Sequence, residues 1–227
     1  MAANLTVLQR NIGYQFHSED ILRKALTHKS FSKDNNETLE FIGDAVLGYL
    51  IAVKLFHYDS ALGEDALSLM RASLVRGTTL AEMAREINLA PYLMLGSGER
   101  KSGGRQRDSI LANAFEAIIG AIHEDGGIQA CAEFVEHHFS ARLASINLEN
   151  LKDAKTKLQE LLQGVHMNLP DYSVAEVGGV DHQRRYTVVC MVCEFDLECR
   201  ATASSRRAAE QSAAAEMLQM LAVHDLG

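Results

Sequence analysis

The chain contains no tryptophan, two prolines and four cysteines among its 227 residues. No apolar run approaches the roughly 18–20 residues that span a bilayer, so we expect neither a transmembrane helix nor a membrane partner. The N-terminal residues, MAANLTVLQRNIGY, show no basic segment followed by an apolar core, which excludes a secretory signal. The cysteines have no framework spacing, and Cys190 and Cys193 are expected to be core thiols. These features predict a cytoplasmic protein.

Basic residues are in the minority. Lysine and arginine number 22 against 30 aspartates and glutamates, which gives a formal net charge of −8. This balance argues against a protein that holds nucleic acid by bulk charge, although it leaves room for local basic patches or for carboxylates that bind a metal. Hydrophobic residues make up 47% and charged residues 23%, values that are typical of globular proteins and not of disordered or coiled-coil chains.

The composition changes near residue 150, which predicts two domains. The first part, residues 1–147, favours amphipathic helices at 38–56, 78–89, 109–123 and 128–146, with a polar, glycine-rich loop at 96–108. The second part, residues 153–227, favours a helix, three strands and a helix, at 155–163, 172–177, 185–193, 195–201 and 205–221. The predicted fold is therefore mainly α: an all-helical domain, a short linker at 148–152 and a small α+β domain (α-β-β-β-α).

Carboxylates form a stripe on the first long helix. Glu37, Glu40 and Asp44 are spaced i, i+3, i+7 and fall within about 60° on one helical face. On the helix predicted at 109–123, Asn113 and Glu116 share a face, and Glu116 is a lone acid in an apolar stretch. Oxygen ligands of this kind suit a divalent cation such as Mg²⁺. The alternative is a solvated acidic face, with Glu37 favoured by the helix dipole.

Phe41 is a large aromatic residue about 60° from Asp44 on the helical wheel, away from the apolar face. It is either covered by another part of the same chain or inserted into a partner subunit.

Several runs together resemble a known family. Residues 36–47 read NETLEFIGDAVL, residues 25–30 read ALTHKS, and residues 108–117 read DSILANAFEA. They resemble the motifs of the ribonuclease III family. Residues 155–160 (KTKLQE), Gly179 with His182, and residues 204–211 (SSRRAAEQ) resemble a double-stranded-RNA-binding domain.

The resemblance implies a homodimeric endoribonuclease that hydrolyses double-stranded RNA with Mg²⁺, with Mn²⁺ able to substitute. The products would carry 5′-phosphates and short 3′ overhangs, and the implied roles are maturation of ribosomal RNA precursors and processing of messenger RNA. By position, the metal ligands would be Glu40, Asp44, Asn113 and Glu116. Asp44 and Glu116 would be central to catalysis, with Glu37 at the margin positioning water or RNA. Phe41 would dock into the other subunit.

The resemblance also implies an RNA-binding surface. Its candidate residues are Thr156, Gln159, Glu160, His182, Ser205, Arg206, Arg207 and, in the first domain, Arg107. The arginines at 206 and 207 open a helix whose N-terminus already favours phosphate. The alternatives are solvated charges in the case of Arg206 and Arg207, and a mobile solvated loop in the case of Arg107.

One residue departs from the family pattern. Asn113 stands where the family often has aspartate, and an amide oxygen can coordinate a cation but brings no charge. We therefore expect weaker metal affinity at that ligand. Two rival hypotheses remain: a double-stranded-RNA-binding protein whose cleavage is impaired by Asn113, and a metal-dependent DNA nuclease, which the second domain disfavours.

Overall fold

The computed structural model describes residues 4–58, 62–180 and 183–223. The chain divides into two compact units, Met1–Leu148 and Glu149–Gly227. Within the described residues, no helix is both long enough and apolar enough to cross a bilayer.

The first unit is helical throughout. Its helices are α1 (Leu5–Ile12), α2 (Glu19–Ala25), α3 (Glu37–Phe56), α4 (Glu64–Leu74), α5 (Gly77–Glu86), α6 (Ser97–Lys101) and α7 (Asp108–Ser145), and α8 (Leu148–Leu151) spans the boundary between the units. The second unit contains α9 (Ala154–Gly164), β1 (Asp171–Gly178), β2 (Arg185–Val192), β3 (Leu197–Ala203) and α10 (Arg206–Val223). The predicted mainly helical fold with a small α-β-β-β-α part is thus confirmed.

The core of the first unit is built around α7. This helix packs most extensively against α3 and then α5. Phe115 and Phe139 of α7 are fully buried, as are Leu47 and Ile51 of α3. Because residues 110–122 of α7 are apolar on nearly all sides, the other helices enclose this stretch as they would a central helix, whereas the rest of α7 keeps an exposed face.

Two glycines set the distance between α3 and α7. A Cβ at Gly43 would lie 2.7 Å from the carbonyl carbon of Glu116 and 2.9 Å from the amide nitrogen of Gly120, and closer still to the Glu116 oxygen. A Cβ at Gly120 would lie 2.9 Å from the carbonyl carbon of Leu39. The backbones of the two helices can approach this closely only because both positions lack a side chain.

For this unit, one sequence-based prediction was wrong in part and another was confirmed. The stretch at 96–108 is not a plain loop, since it contains α6 and a 3₁₀ turn at Gly104–Gln106, with Gly103 in the left-handed region. The helices predicted at 109–123 and 128–146 are the two arms of α7, joined across a kink at Gly127. Gly127 has φ 75° and ψ −175°, a conformation that glycine adopts without strain.

The second unit pairs its strands in the order β1-β2-β3, all antiparallel, with an irregularity in β1 between Val174 and Glu176. One face of the sheet packs on α9 and α10 through Leu158, Cys190, Val192 and Met217. Cys190 is buried, as predicted, but Cys193 is exposed. That half of the core-thiol prediction was wrong because Cys193 follows the end of β2 and starts a 3₁₀ turn.

Candidate functional site

The start of α3 is held by Asn36, which is buried. Its backbone N–H donates to the carbonyl of Thr27 at 2.9 Å, and its side-chain amide donates to the carbonyl of Ala25 at 3.3 Å. The Glu37 N–H donates to the side-chain oxygen of Asn35 at 2.9 Å. These contacts anchor the first turn of α3, and with it Glu37 and Glu40, to the segment that follows α2.

The predicted ligands on α7 are the two accessible residues of its buried stretch. Residues 110–122 are all buried except Asn113 and Glu116, which are half-buried. On α3, Glu40 is also half-buried and Asp44 is exposed. The close approach at Gly43 joins the two helices beside these four side chains. The structure therefore places the predicted ligands around one face of the α3–α7 contact.

These carboxylates are close enough for the charge of one to raise the pKa of another. Burial, followed by the charges of Asp44 and Glu40, raises the pKa of Glu116 to about 7. Burial also raises the pKa of Glu40, with further contributions from Glu37 and Asp44, while hydrogen bonding to the Asn113 side chain lowers it. When they are ionised, these carboxylates repel one another, and little positive charge compensates them. A bound divalent cation would remove this repulsion.

The donor set has the chemistry of a magnesium site, since it offers three carboxylates and an amide oxygen. Among the residues that the structure describes, however, no group of three or more His, Cys, Asp or Glu side chains is already arranged to hold an ion. Only those four residue types are covered, so the amide of Asn113 is not included. The residues fit the cation by type and charge, and the individual coordination roles remain predictions.

Glu37 lies at the margin of the cluster and is engaged by a cation. The Lys29 ammonium lies 3.0 Å from its carboxylate, and both side chains are more than half exposed. Hydrogen bonding and charge from Lys29 lower the pKa of Glu37, and the same pair raises the pKa of Lys29. Sequence reasoning did not single out Lys29; its place in the run ALTHKS was the available signal.

Phe41 is 78% exposed, so no described part of its own chain covers it. It belongs to an apolar stripe along α3 with Tyr49 and Phe56, which are 61% and 71% exposed, and with Val53. Within the described residues, the exposure of Phe41 excludes the alternative that another part of the same chain covers the ring. Insertion into a partner subunit remains a prediction.

On α9, the predicted RNA-binding residues lie on the surface. Thr156, Gln159 and Glu160 are exposed. The Thr156 hydroxyl donates to Asp153 at 2.9 Å, and Glu160 pairs with Lys152 at 2.7 Å. His182 lies outside the described residues.

At the start of α10, an acidic residue forms ion pairs with basic ones. Glu210 pairs with Arg206 and with Lys155, both at 2.8 Å. Arg207 is exposed, and the Ser205 hydroxyl accepts the N–H of Ala208 at 3.2 Å as a helix cap.

In the first unit, Arg107 pairs with Glu99 at 2.7 Å. The predicted RNA-binding residues that the structure describes are thus accessible, but Glu160, Arg206 and Arg107 are each held by an internal ion pair.

Comparison with known proteins gives a consistent result. The sequence model of the ribonuclease-III-like family matches residues 18–143, and that of the double-stranded RNA binding motif matches residues 154–221. Ribonuclease 3 of Hahella chejuensis is 50% identical over 98% of this chain and 99% of its own length. Ribonuclease 3 of Pasteurella multocida is 48% identical over 97% of this chain and 99% of its own.

Two crystal structures of the ribonuclease III nuclease domain from Campylobacter jejuni are similar to the first unit. They have TM-scores of 0.60 and 0.58 at 38% and 39% identity, covering 64% and 60% of this chain and 99% of each of theirs. The helical fold, the neighbouring oxygen-bearing side chains of α3 and α7 and these matches agree: the chain belongs to the ribonuclease III family of double-strand-specific endoribonucleases and carries a double-stranded-RNA-binding domain.

Proposed function

We propose that the protein hydrolyses phosphodiester bonds in double-stranded RNA with Mg²⁺, Mn²⁺ being able to substitute, and leaves 5′-phosphates and short 3′ overhangs. Residues 1–147 would form the catalytic and dimerising domain, residues 148–152 the linker, and residues 153–227 the RNA-binding domain. The observation that carries the proposal is the pair Asn113 and Glu116, left accessible within the otherwise buried stretch 110–122 of α7 and close to carboxylates of α3.

Each ligand has a distinct part. Asp44 and Glu116 would hold the cation centrally, with Glu40 and Asn113 completing the set. A bound divalent cation supplies an activated water and stabilises charge on the leaving oxygen. Carboxylates suit this task because they bind a hard cation through oxygen, and the buried stretch 110–122 of α7 fixes the backbone that carries Glu116.

The stripe of Phe41, Tyr49, Val53 and Phe56 supports a homodimer. Large apolar side chains this exposed are typical of a surface that a second protein covers. One of the Campylobacter jejuni structures is described as showing flexibility in a region involved in dimer formation, which concerns the same domain. We propose that α3 packs against its counterpart in a second copy, with Phe41 docking there.

The second unit would bind the RNA by shape. A-form RNA is recognised through minor-groove hydroxyls and phosphates, which Thr156, Gln159 and Glu160 on α9 could reach. Ser205, Arg206 and Arg207 would meet phosphates at the start of α10, and His182 a second minor groove. Arg107 would touch the backbone near the cut. We place the protein in the cytoplasm, acting on ribosomal RNA precursors and messenger RNA.

The test is cleavage of a perfect RNA duplex with Mg²⁺, with a matched DNA duplex beside it. Glu116→Ala should abolish cleavage and keep RNA binding, whereas Asn113→Asp should lower the Mg²⁺ concentration needed for half-maximal rate, because it adds a charge. Binding without cleavage by the parent, rescued by Asn113→Asp, would instead identify a binding protein disabled at one ligand. Absence of RNA binding would overturn the proposal.

A further inference from the structure

Lys29 is a cation at the edge of an acidic cluster, in the segment between α2 and α3. Its ammonium donates to Glu37 at 3.0 Å and senses the charge of Glu40, which lies one turn further along α3. The Lys29 side chain is 65% exposed. An ammonium has three N–H donors, so the bond to Glu37 leaves donors directed toward solvent beside the predicted metal ligands.

The backbone that carries Lys29 is fixed on both sides. The N–H of His28 donates to the carbonyl of Met94 at 3.0 Å, and the N–H of Gly96 donates to the hydroxyl of Ser30 at 3.0 Å. A Cβ at Gly96 would lie 3.0 Å from the carbonyl carbon of Ser30, so the two segments are in close contact. Lys29 therefore stands between two anchored neighbours, and its reach toward Glu37 is determined by that frame.

The contact across the same segment reaches the start of α3. Asn36 binds the carbonyls of Ala25 and Thr27, which brings Glu37 within reach of Lys29. An exposed ion pair of this kind contributes about 0–1 kcal/mol to stability. The Lys29–Glu37 pair therefore adds little to the stability of the fold. An anionic ligand that reaches the cluster would instead bind more tightly because the ammonium is already oriented.

We propose that Lys29 binds a backbone phosphate of the RNA strand beside the bond that is cut, and that Glu37 acts as a positioning residue by orienting Lys29. This inference rests on the proposed function. A phosphate that approaches Glu37, Glu40 and Asp44 meets repulsion, and Lys29 offsets that repulsion at the entrance to the site. Glu37 then affects cleavage through the lysine, not through the metal.

A double-mutant cycle with Lys29→Ala and Glu37→Gln tests both halves. Lys29→Ala should lower kcat/KM about tenfold, mainly through KM, and should reduce the slope of log KM against log salt by about one. Lys29→Arg should recover most of the activity. Glu37→Gln should cost several-fold in the parent and nothing further in the Lys29→Ala background, because residues that act as a unit are not additive. Lys33→Ala, an equal charge change in the same segment, is the control and should behave as the parent.

Each result decides the matter. If the parent cleaves and Lys29→Ala matches it in KM and salt slope, the phosphate contact is refuted while the proposed function stands. If the effects of Lys29→Ala and Glu37→Gln multiply, Glu37 acts independently and the positioning role is refuted. Duplex binding in EDTA, measured for the same variants, tests the contact even if the parent does not cleave: an unchanged Kd and salt slope for Lys29→Ala would overturn it.

Discussion

Replacing Gly43 by alanine should destabilise the protein, although the same change normally stabilises a helix. Alanine gains about 1 kcal/mol over glycine inside a helix. At Gly43, however, the new Cβ would lie 2.7 Å from the carbonyl carbon of Glu116, whereas ordinary contacts are 3.4–4 Å. The backbones of α3 and α7 must then separate by about 1 Å, which overpacking data place at a cost of about 1–3 kcal/mol.

The matched control lies on the same helix. A Cβ at Gly48 would meet nothing within 4 Å in its own chain, so Gly48→Ala should show only the propensity gain when both variants are compared in a monomeric Phe41→Asp background. Because the Cβ at Gly43 meets backbone, its clash lies in the upper part of the overpacking range of about 1–3 kcal/mol, and the net cost after the propensity gain is about 1–2 kcal/mol. Thermal unfolding followed by circular dichroism should therefore place Gly43→Ala roughly 2–8 °C below the parent and Gly48→Ala at or above it. Gly43→Ala as stable as the parent would refute the argument that backbone contact sets the helix distance.

Gly120 provides a second, independent check. Its Cβ would crowd Leu39 and Ile42 across the same interface, so one separation of the helices relieves both clashes. The double variant Gly43→Ala with Gly120→Ala should therefore cost less than the sum of the single variants, with a coupling of about 0.5–3 kcal/mol. Strict additivity would mean that the two sites deform separately and would contradict a shared close approach.

The remaining predictions concern charge and exposure. The pKa of Glu116 is raised from 4.5 to about 7, so in EDTA the free energy of unfolding should fall as pH rises between these values, and Glu116→Gln should remove that fall in pH-dependent thermal melts. Phe41→Asp should give monomers by analytical ultracentrifugation that keep the helical circular-dichroism spectrum, because the ring is not part of the core of its own chain. Asp125 accepts hydrogen bonds from Tyr14 at 2.8 Å and from two backbone N–H groups, so Asp125→Ala should cost about 2–4 kcal/mol in urea unfolding, and Tyr14→Phe about 1 kcal/mol. Glu210→Gln should raise duplex affinity and its salt dependence, measured by fluorescence anisotropy, because it releases an arginine and a lysine.

The parts of the fold that the sequence predicted are those with strong periodicity. The apolar repeat of α3 and the alternation in β2 are local patterns, and burial of Leu39, Val46, Val188 and Cys190 agrees with them. Candidate ligands were found for the same reason, since helical spacing alone places Asn113 and Glu116 on one face. The coordination they would provide is still a prediction.

Other features depend on contacts between distant segments, which no local pattern records. The Lys29–Glu37 pair exists because Asn36 ties the start of α3 to Ala25 and Thr27. The separate helices predicted at 109–123 and 128–146 anticipated the kink at Gly127, but no local pattern shows that the second arm of α7 continues directly from the first. The sequence therefore predicted candidate residues for the site but not which exposed charges would form ion pairs.

The ion pairs change how RNA binding by this acidic chain is understood. In each unit, a basic residue that we propose for the RNA already has a carboxylate partner that would compete with a phosphate; these pairs are Arg107–Glu99 and Arg206–Glu210. Because the arginines of these pairs are 49% and 63% exposed, a phosphate can approach them from solvent and compete with the carboxylate. The released carboxylate then stays near the phosphate and opposes it. In the complex that we propose, binding would therefore be an exchange of partners and not a simple attraction, which would limit affinity for any polyanion.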